Sequence, residues 1–335
     1  MSVVETNIIN YKYIFRRLKR RRGSVISKKI ELGKTGIHIH PIGLGANKIT
    51  EEDKKTNTQY GGKILSTAIE NGLNFIDTAF IYGNGESEEI VGKTLKESNS
   101  REDVVIATKG AHKVTDDGIV IDNTPAFLTN EVDKSLKRLR TDVIDLYYIH
   151  FPDEKTPKYE AVGALQRLKE AGKIRSIGVS NFSVEQLKEA NQDGYVDVVQ
   201  GNYNLLDRSV EREFFQYLLE NDISFVPYYP LASGLLTGKY SKESVISEKN
   251  KARPQFQGDM YMENVKKVKK LRGIADKHGV EIHHIVLAYY LTKKPIDSII
   301  PGARNTEQVL SNLKTASVQL VPEDLQLIEE LFPLE

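Results

Sequence analysis

From residue 40 onward the chain alternates short apolar runs, rich in β-branched residues, with amphipathic stretches of helical period. The runs are HPIGLGA (40–46), NFIDTA (74–79), DVVIATK (103–109), DVIDLYYIH (142–150), SIGVSN (176–181), VDVVQGNYN (196–204), ISFVPYYP (223–230) and DSIIPGA (297–303). Runs that are apolar on both faces are typical of parallel strands covered by helices on both sides. The eightfold alternation predicts a closed (β/α)8 TIM barrel, with a doubly wound open sheet as the alternative.

Three segments fall outside the eight units. KKIELGKTGIHIHPI (28–42), with Lys34-Thr35-Gly36 as a turn, predicts an N-terminal β-hairpin that closes the bottom of the barrel. The polar stretch 234–260 reads as a long loop on the catalytic face, where such a loop is more often a lid than a passive connection. Extra helices are expected at 261–278, which is basic, and at 322–332.

No linker divides the chain, so residues 29–335 are expected to form a single domain. They follow a basic N-terminal extension, residues 1–28, that contains YKYIFRRLKRRRGSVISKK. A secretory signal would continue with about 7 to 15 apolar residues, which are missing here. A basic arm, a transit peptide and a mis-assigned start before Val25 remain open, and the extension is expected to be either disordered or such a start.

Composition excludes several classes of site and partner. The formal net charge of +1 argues against nucleic acid or an acidic membrane as a partner. The absence of cysteine excludes disulfides and thiolate catalysis. His38, His40, His283 and His284 have no carboxylate at ligand spacing, so no metal site is expected. Because no apolar run approaches the roughly 18 residues of a membrane span, a cytoplasmic protein is expected.

The stretch NFIDTAFIYGNGESEEIVGKTL (74–95) could be mistaken for a dinucleotide-binding glycine loop. That fingerprint needs a third small residue, where this chain has Glu88. A carboxylate in the first helical turn would repel the phosphate that such a loop attracts. The stretch therefore needs an explanation other than a Rossmann fold.

Polar residues at strand ends supply that explanation. Asp77, Lys109 and His150 end three successive predicted strands, and Tyr82 follows Asp77 in the next loop. In a parallel barrel these ends meet at one face, where catalysis takes place. An ammonium close to a buried phenol stabilises the phenolate, so the phenol can serve as an acid. A carboxylate can hold that ammonium, and histidine can orient a carbonyl oxygen.

These residues carry a family resemblance. DTAFIYGNGESEEIVG, VIATKG, YYIHFPD, IGVSNF, YYPLASGLLTGK and IPGARNTEQVLSNL resemble the aldo-keto reductases, in order and over about residues 29–332. The fit favours the bacterial group that includes inositol-operon reductases of bacilli. The resemblance implies a catalytic tetrad of Asp77, Tyr82, Lys109 and His150, with Tyr82 as proton donor and hydride from NADPH.

The resemblance also implies a site for NADP(H). Its residues are Ser180, Asn181 and Gln200 at the carboxamide, Tyr228 stacked on the nicotinamide, Ser233, Gly234, Leu235 and Lys239 over the pyrophosphate with Leu231 beside them, and Gly302, Arg304, Gln308 and Asn312 at the adenosine end. A guanidinium and a helix N-terminus suit a 2′-phosphate. Two departures concern Tyr229, where most members have Ser, and the loop NKITEEDKKTNTQYGG, which lacks an early glycine pair.

Two functions follow from this resemblance. The first is an NADPH-dependent oxidoreductase that reduces small aldehydes and ketones to alcohols. The second is a cofactor-binding regulatory module with vestigial turnover, like the channel β-subunits that share the architecture. The complete tetrad favours the enzyme. The sequence leaves the physiological substrate, the direction of reaction and the oligomeric state open.

Overall fold

The barrel wall is a parallel sheet. A computed structural model describes residues 29–50 and 58–334, so residues 1–28 and part of the atypical loop lie outside the described residues. The strands of the described residues are β1 Ile30–Glu31, β2 His38–Ile39, β3 Leu44–Gly45, β4 Phe75–Asp77, β5 Val105–Gly110, β6 His112–Thr115, β7 Gly118–Ile121, β8 Ile144–Ile149, β9 Ile174–Ser180, β10 Val198–Asn202 and β11 Ser224–Tyr228. Seven of them form one parallel sheet in the order β3-β4-β5-β8-β9-β10-β11.

The eighth predicted strand closes this sheet as a series of isolated bridges. Phe225 on β11 bridges Ile296 in parallel, and on the other side Gly45 on β3 bridges Gly302. The backbone N–H of Ile299 donates to Pro41 O at 3.1 Å. Pro295 and Pro301 have no N–H to donate, which prevents a regular ladder here. The (β/α)8 barrel is therefore confirmed, with an irregular eighth strand.

Helices cover the outer face of the sheet. They are α1 Thr58–Glu70, α2 Glu86–Glu97, α3 Pro125–Leu139, α4 Lys158–Glu170, α5 Val184–Ala190, α6 Val210–Glu213, α7 Phe215–Glu220, α8 Glu248–Lys251, α9 Gly258–Lys270, α10 Arg272–His278, α11 Ile282–Tyr290, α12 Thr306–Lys314 and α13 Pro322–Leu331. The basic helix expected at 261–278 is two helices that meet at Leu271, where ψ is −12°. No described helix is long and apolar enough to cross a membrane.

The predicted N-terminal hairpin is present at the bottom of the barrel. Strands β1 and β2 pair antiparallel, with Ile30 opposite Ile39. Leu32, Ile37 and Ile39 are buried in a cluster with residues from the barrel interior. That cluster also contains Phe75, Val105, Ala107, Leu146, Tyr148, Val198, Val226 and Ile300. Burial of these side chains drives the hairpin into the open end of the barrel.

A second hairpin, β6–β7, lies between β5 and α3 and was not predicted. Its strands pair antiparallel, with His112 opposite Ile121. The two-residue turn Asp116-Asp117, followed by Gly118 with φ of 124°, is the sequence signal that could have revealed it. The stretch predicted as a long loop, 234–260, includes most of a 3₁₀ turn at Ala232–Thr237, helix α8 and a second 3₁₀ turn at Pro254–Phe256.

Candidate active site

The centre of the site is a buried ion pair at the carboxyl ends of neighbouring strands. Asp77 is the last residue of β4, and Lys109 lies one residue before the end of β5. Lys109 Nζ donates to Asp77 Oδ1 at 2.5 Å and to Thr78 O at 2.8 Å. The second carboxylate oxygen of Asp77 accepts a 2.8 Å hydrogen bond from Gln200 Nε2 on β10. Strand register thus fixes three of the predicted residues against one another.

Tyr82 and His150 lie over this ion pair. Tyr82 occupies the loop between β4 and α2, where Gly83 and Gly85 have φ of 64° and 100°. Such backbone favours glycine, and it turns the chain so that the tyrosine ring faces the barrel mouth. Lys109 Nζ lies 5.2 Å from the centre of the Tyr82 ring. The His150 ring, which directly follows β8, lies edge-on to Tyr82 with centroids 6.2 Å apart.

Burial and charge set the protonation states of these groups. Burial raises the pKa of Tyr82, and the nearby Lys109 charge opposes this rise without cancelling it. Burial would lower the pKa of Lys109, but Asp77 and Tyr82 more than offset it and leave the pKa raised. Burial, assisted by Lys109 and His112, holds the pKa of His150 well below its usual value. At neutral pH the site therefore presents a neutral phenol, an ammonium and a neutral imidazole.

The sign of the Tyr82 shift differs from the expectation drawn from sequence. The Lys109 ammonium was expected to lower the pKa of the Tyr82 phenol toward neutral pH. Its effect on the pKa has the expected direction, but desolvation is larger because the phenol is buried in the mouth. The result is a proton donor that remains protonated through neutral pH.

Two aromatic residues of the site were missed by sequence reasoning. The His112 ring, on β6, lies 4.9 Å from that of His150, and Phe151 stacks on His150 at 5.1 Å. The buried Nδ1 atoms of His112 and His150 have no hydrogen-bond partner among the described residues. His112 follows Lys109 by three residues, just past the end of β5, and this position at a strand end was the available signal.

The residues predicted to bind the nicotinamide surround the same mouth. Asn181 Nδ2 donates to His150 O at 3.0 Å, and Asn181 Oδ1 accepts from Tyr228 Oη at 2.8 Å. Ser180 ends β9 and Tyr228 ends β11. The geometry thus brings Ser180, Asn181, Gln200 and Tyr228 together with the four central residues.

The segment predicted to cover the pyrophosphate follows Leu231. Ala232, Ser233 and Gly234 have successive φ values of 46°, 57° and 86°. Successive amides in such turns form concavities that bind anions. The Leu235 side chain is buried in the core, so only its backbone can serve a cofactor, whereas Lys239 is exposed. Tyr229 Oη donates to Ser233 Oγ at 2.6 Å, which shows what the atypical tyrosine contacts.

The residues predicted for the adenosine end lie on the rim, from the end of the irregular eighth strand onward. Gly302, Arg304 and Gln308 are exposed, and Asn312 is buried on α12. Gln308 Oε1 accepts from the backbone N–H of Arg304 at 2.8 Å. The backbone of Arg304 is thus joined to the first turn of α12, and Arg304 is exposed beside it. No group of three or more His, Asp or Glu residues within 29–50 and 58–334 could hold a metal ion.

The sequence is similar to those of known reductases and of a channel subunit. The aldo/keto reductase family model matches residues 41–332. The aldo-keto reductase YhdN of Bacillus subtilis is 36% identical over 283 residues, which are 82% of this chain and 84% of that protein. The NADH-specific methylglyoxal reductase of Escherichia coli is 32% identical over 91% of this chain and 98% of that protein. A probable voltage-gated potassium channel β-subunit of Arabidopsis thaliana is also 32% identical, covering 90% and 95%.

Solved structures show the same architecture. A glycerol dehydrogenase from Gluconobacter oxydans superposes with a TM-score of 0.83 at 28% identity, covering 91% of this chain and 94% of that one. An aldo/keto reductase from Klebsiella pneumoniae in complex with NADP and acetate has a TM-score of 0.71 at 25% identity, covering 92% and 96%. The finer grouping with inositol-operon reductases stays a prediction. The family match over most of the chain shows that this protein belongs to the aldo/keto reductase family.

Proposed function

We propose that this protein is a cytoplasmic NADPH-dependent reductase that converts small aldehydes or ketones into alcohols. The observation that carries the proposal is the buried Asp77–Lys109 pair beneath Tyr82 and His150. A proton donor, a charge that stabilises its conjugate base and a neutral hydrogen-bond donor are what carbonyl reduction requires of the protein. We also propose that residues 29–335 form one catalytic domain.

The cofactor supplies the hydride, and the residues around the mouth fit it. Asn181 and Gln200 offer amide groups for a carboxamide, and Tyr228 offers a ring for the nicotinamide to stack on. The turn at Ala232–Gly234 offers backbone amides to a pyrophosphate, with Ser233 and Lys239 beside it. Leu231 and Leu235 shape that segment. Gly302, Arg304, Gln308 and Asn312 form the adenosine end.

The side chains divide the chemistry among them. His150, as a neutral imidazole, donates a hydrogen bond that orients the carbonyl oxygen. Tyr82 then gives its phenolic proton to that oxygen, so that its O–H bond breaks as the new O–H bond of the alcohol forms. Lys109 stabilises the phenolate that remains, and Asp77 holds the ammonium in position. A solvent proton restores the phenol.

Preference for NADP(H) rests on Arg304. Relatives differ in cofactor, since one is named NADH-specific and another was crystallised with NADP. The exposed Arg304, on the surface that carries the start of α12, supplies a planar cation to bind a 2′-phosphate in bidentate fashion. NADH offers no such phosphate, so its affinity should be lower.

The rival function is a regulatory module, because a channel β-subunit is among the similar sequences. Absorbance at 340 nm, followed with NADPH and a panel of aromatic and short aliphatic aldehydes, separates the two functions. The enzyme is expected to consume NADPH with at least one aldehyde. Tight NADPH binding without turnover on any of them would support the regulatory module instead.

A further inference from the structure

The acidic start of α2, unsuited to a phosphate, has a clear structural role. Glu88 is fully buried, and its two carboxylate oxygens have different partners. Oε1 accepts from Thr108 Oγ1 at 2.6 Å, and Oε2 accepts from Arg138 Nε at 2.6 Å. Thr108 precedes Lys109 on β5, whereas Arg138 comes from the last turn of α3. One carboxylate therefore joins the strand that carries Lys109 to a neighbouring helix.

Arg138 in turn holds the loop that carries Tyr82. Its guanidinium carbon lies 5.0 Å from the centre of the Phe80 ring. Its side chain also passes directly over Gly85, where a Cβ atom would come within 2.6 Å of Arg138 Cδ. Phe80 and Gly85 are the two ends of the turn, joined by a 2.6 Å hydrogen bond from Gly85 N to Phe80 O. Tyr82 lies between them.

Close packing of two helices makes this contact possible. A Cβ atom at Gly92 of α2 would lie 2.5 Å from the carbonyl of Leu139 at the end of α3. Only glycine permits that approach, which brings Arg138 within reach of Glu88. Arg138 is held in this position by Glu131, whose Oε1 accepts from Nη2 at 2.6 Å.

We propose that Glu88 and Arg138 are positioning residues that hold Tyr82 at a fixed distance and direction from Lys109. The inference rests on the proposed function for its catalytic part, since it concerns the proton donor of that reaction. Glu88 fixes the Lys109 strand through Thr108, and it fixes the Tyr82 loop through Arg138. Displacement of a reacting group by about 1 Å can cost about 100-fold in rate, so contacts that fix both Lys109 and Tyr82 affect the rate directly.

The test is the paired variant Glu88→Gln with Arg138→Met, because changing Arg138 alone would leave the Glu88 carboxylate buried without its charge partner. Glu131, which also loses Arg138, keeps Lys134 Nζ at 3.6 Å. The introduced glutamine keeps an acceptor for Thr108, and the introduced methionine keeps an apolar stem against Phe80. The matched control is Arg208→Met with Glu211→Gln. Arg208 is also a buried arginine held by two glutamates, at 2.5 Å from Glu211 and 2.6 Å from Glu329, but it has no contact with the Tyr82 loop in the described structure.

If Glu88 and Arg138 position Tyr82, kcat for an aldehyde should fall about 10- to 100-fold in the Glu88/Arg138 variant. NADPH affinity should stay within about two-fold, and the alkaline limb of kcat should move to higher pH because Lys109 stabilises the phenolate less well. The control pair should lower the melting temperature but keep kcat within about two-fold. A loss of kcat equal at every pH, or equal in both pairs, would show a general structural role and overturn the inference.

Hydrogen exchange gives a reading that does not depend on activity. The amides of Tyr82, Gly85, Glu86 and Ser87 are bonded within the turn and report its stability. Exchange at these amides should quicken in the Glu88/Arg138 variant and remain unchanged in the control. Unchanged exchange in the Glu88/Arg138 variant would overturn the inference, whether or not wild type reduces an aldehyde. If wild type reduces no aldehyde but exchange quickens in the variant, only the proposed function is overturned. Faster exchange with an unaltered kcat would also overturn it.

Discussion

The centre and the rim of the barrel mouth are built differently. At the centre, Asp77 and Lys109 are essentially inaccessible to solvent and come from adjacent strands whose register fixes their 2.5 Å contact. At the rim, Arg304 and Gln308 are exposed, with Arg304 just before α12 and Gln308 in its first turn. The centre is held by contacts within the protein, whereas the rim offers accessible groups. We therefore propose that the centre governs the chemical step and that the rim contributes to affinity for the cofactor.

The largest expected effect is that of Tyr82→Phe, which removes one oxygen and keeps the ring. If Tyr82 is the general acid, kcat should fall about 100- to 10,000-fold. Stability should change by at most about 0.5 to 1.5 kcal/mol, the net value of one hydrogen bond. Steady-state rates with a saturating aldehyde measure kcat, thermal unfolding measures the change in stability, and fluorescence titration measures NADPH affinity, which should be unchanged. A defect mainly in NADPH affinity would break the distinction between centre and rim.

The next effect concerns Lys109→Met and its pH dependence. The variant should lose about as much kcat as Tyr82→Phe, because the phenolate has lost its counter-charge. In wild type, the raised pKa of Tyr82 keeps the donor form present up to an alkaline limit, and the lowered pKa of His150 keeps the imidazole neutral. Reduction should therefore be flat through neutral pH and fall only as pH rises through the Tyr82 pKa.

Without Lys109 the pKa of Tyr82 rises further, so any remaining activity should persist to higher pH than in wild type. Rate profiles of both proteins, at saturating NADPH and aldehyde, give the comparison. An alkaline limb that moves to lower pH would mean that Lys109 does not act on the phenol.

At the rim, Arg304→Ala should weaken NADPH binding about 10- to 100-fold, the value of a charge-assisted contact of about 1.5 to 3 kcal/mol. NADH affinity should change little, since NADH has no 2′-phosphate. Titration of each cofactor into wild type and variant provides the test. Equal losses for NADH and NADPH would show that Arg304 does not recognise the phosphate.

The smallest expected effect is that of removing residues 1–24. This segment precedes the hairpin and lies before residue 41, where the family match begins. A chain that begins at Val25 should match the full chain in melting temperature and kcat. A large drop in melting temperature would show that the segment packs on the barrel.

Most residues of the centre could be predicted from the sequence, because the apolar runs show where each strand ends and which polar residue stands at that end. Asp77, Lys109 and His150 each end an apolar run, and parallel strands bring such ends to one face. The irregularity of the eighth strand was harder to predict, since Pro301 lies inside a run whose apolar pattern is otherwise that of a strand, and Pro295 lies just before it. The hairpin β6–β7 was missed although Asp116-Asp117-Gly118 is a clear turn signal.

Contacts between distant helices were beyond sequence reasoning. Glu88 was recognised as unsuited to a phosphate, but its partner Arg138 is 50 residues away and depends on the approach that Gly92 permits. Similarly, the ring of Tyr229 contacts the guanidinium of Arg253 at 4.5 Å across the long loop. Periodicity within a single helix or loop does not specify such pairs.

The most direct test of the account combines the centre and the rim. kcat for an aldehyde and the Kd of NADPH would be measured for wild type, Tyr82→Phe, Arg304→Ala and the double variant. If the two regions act independently, the double variant has the kcat of Tyr82→Phe and the Kd of Arg304→Ala, each within about two-fold. If Tyr82→Phe alone retains more than about a tenth of wild-type kcat, Tyr82 is not the general acid and the proposed mechanism is wrong.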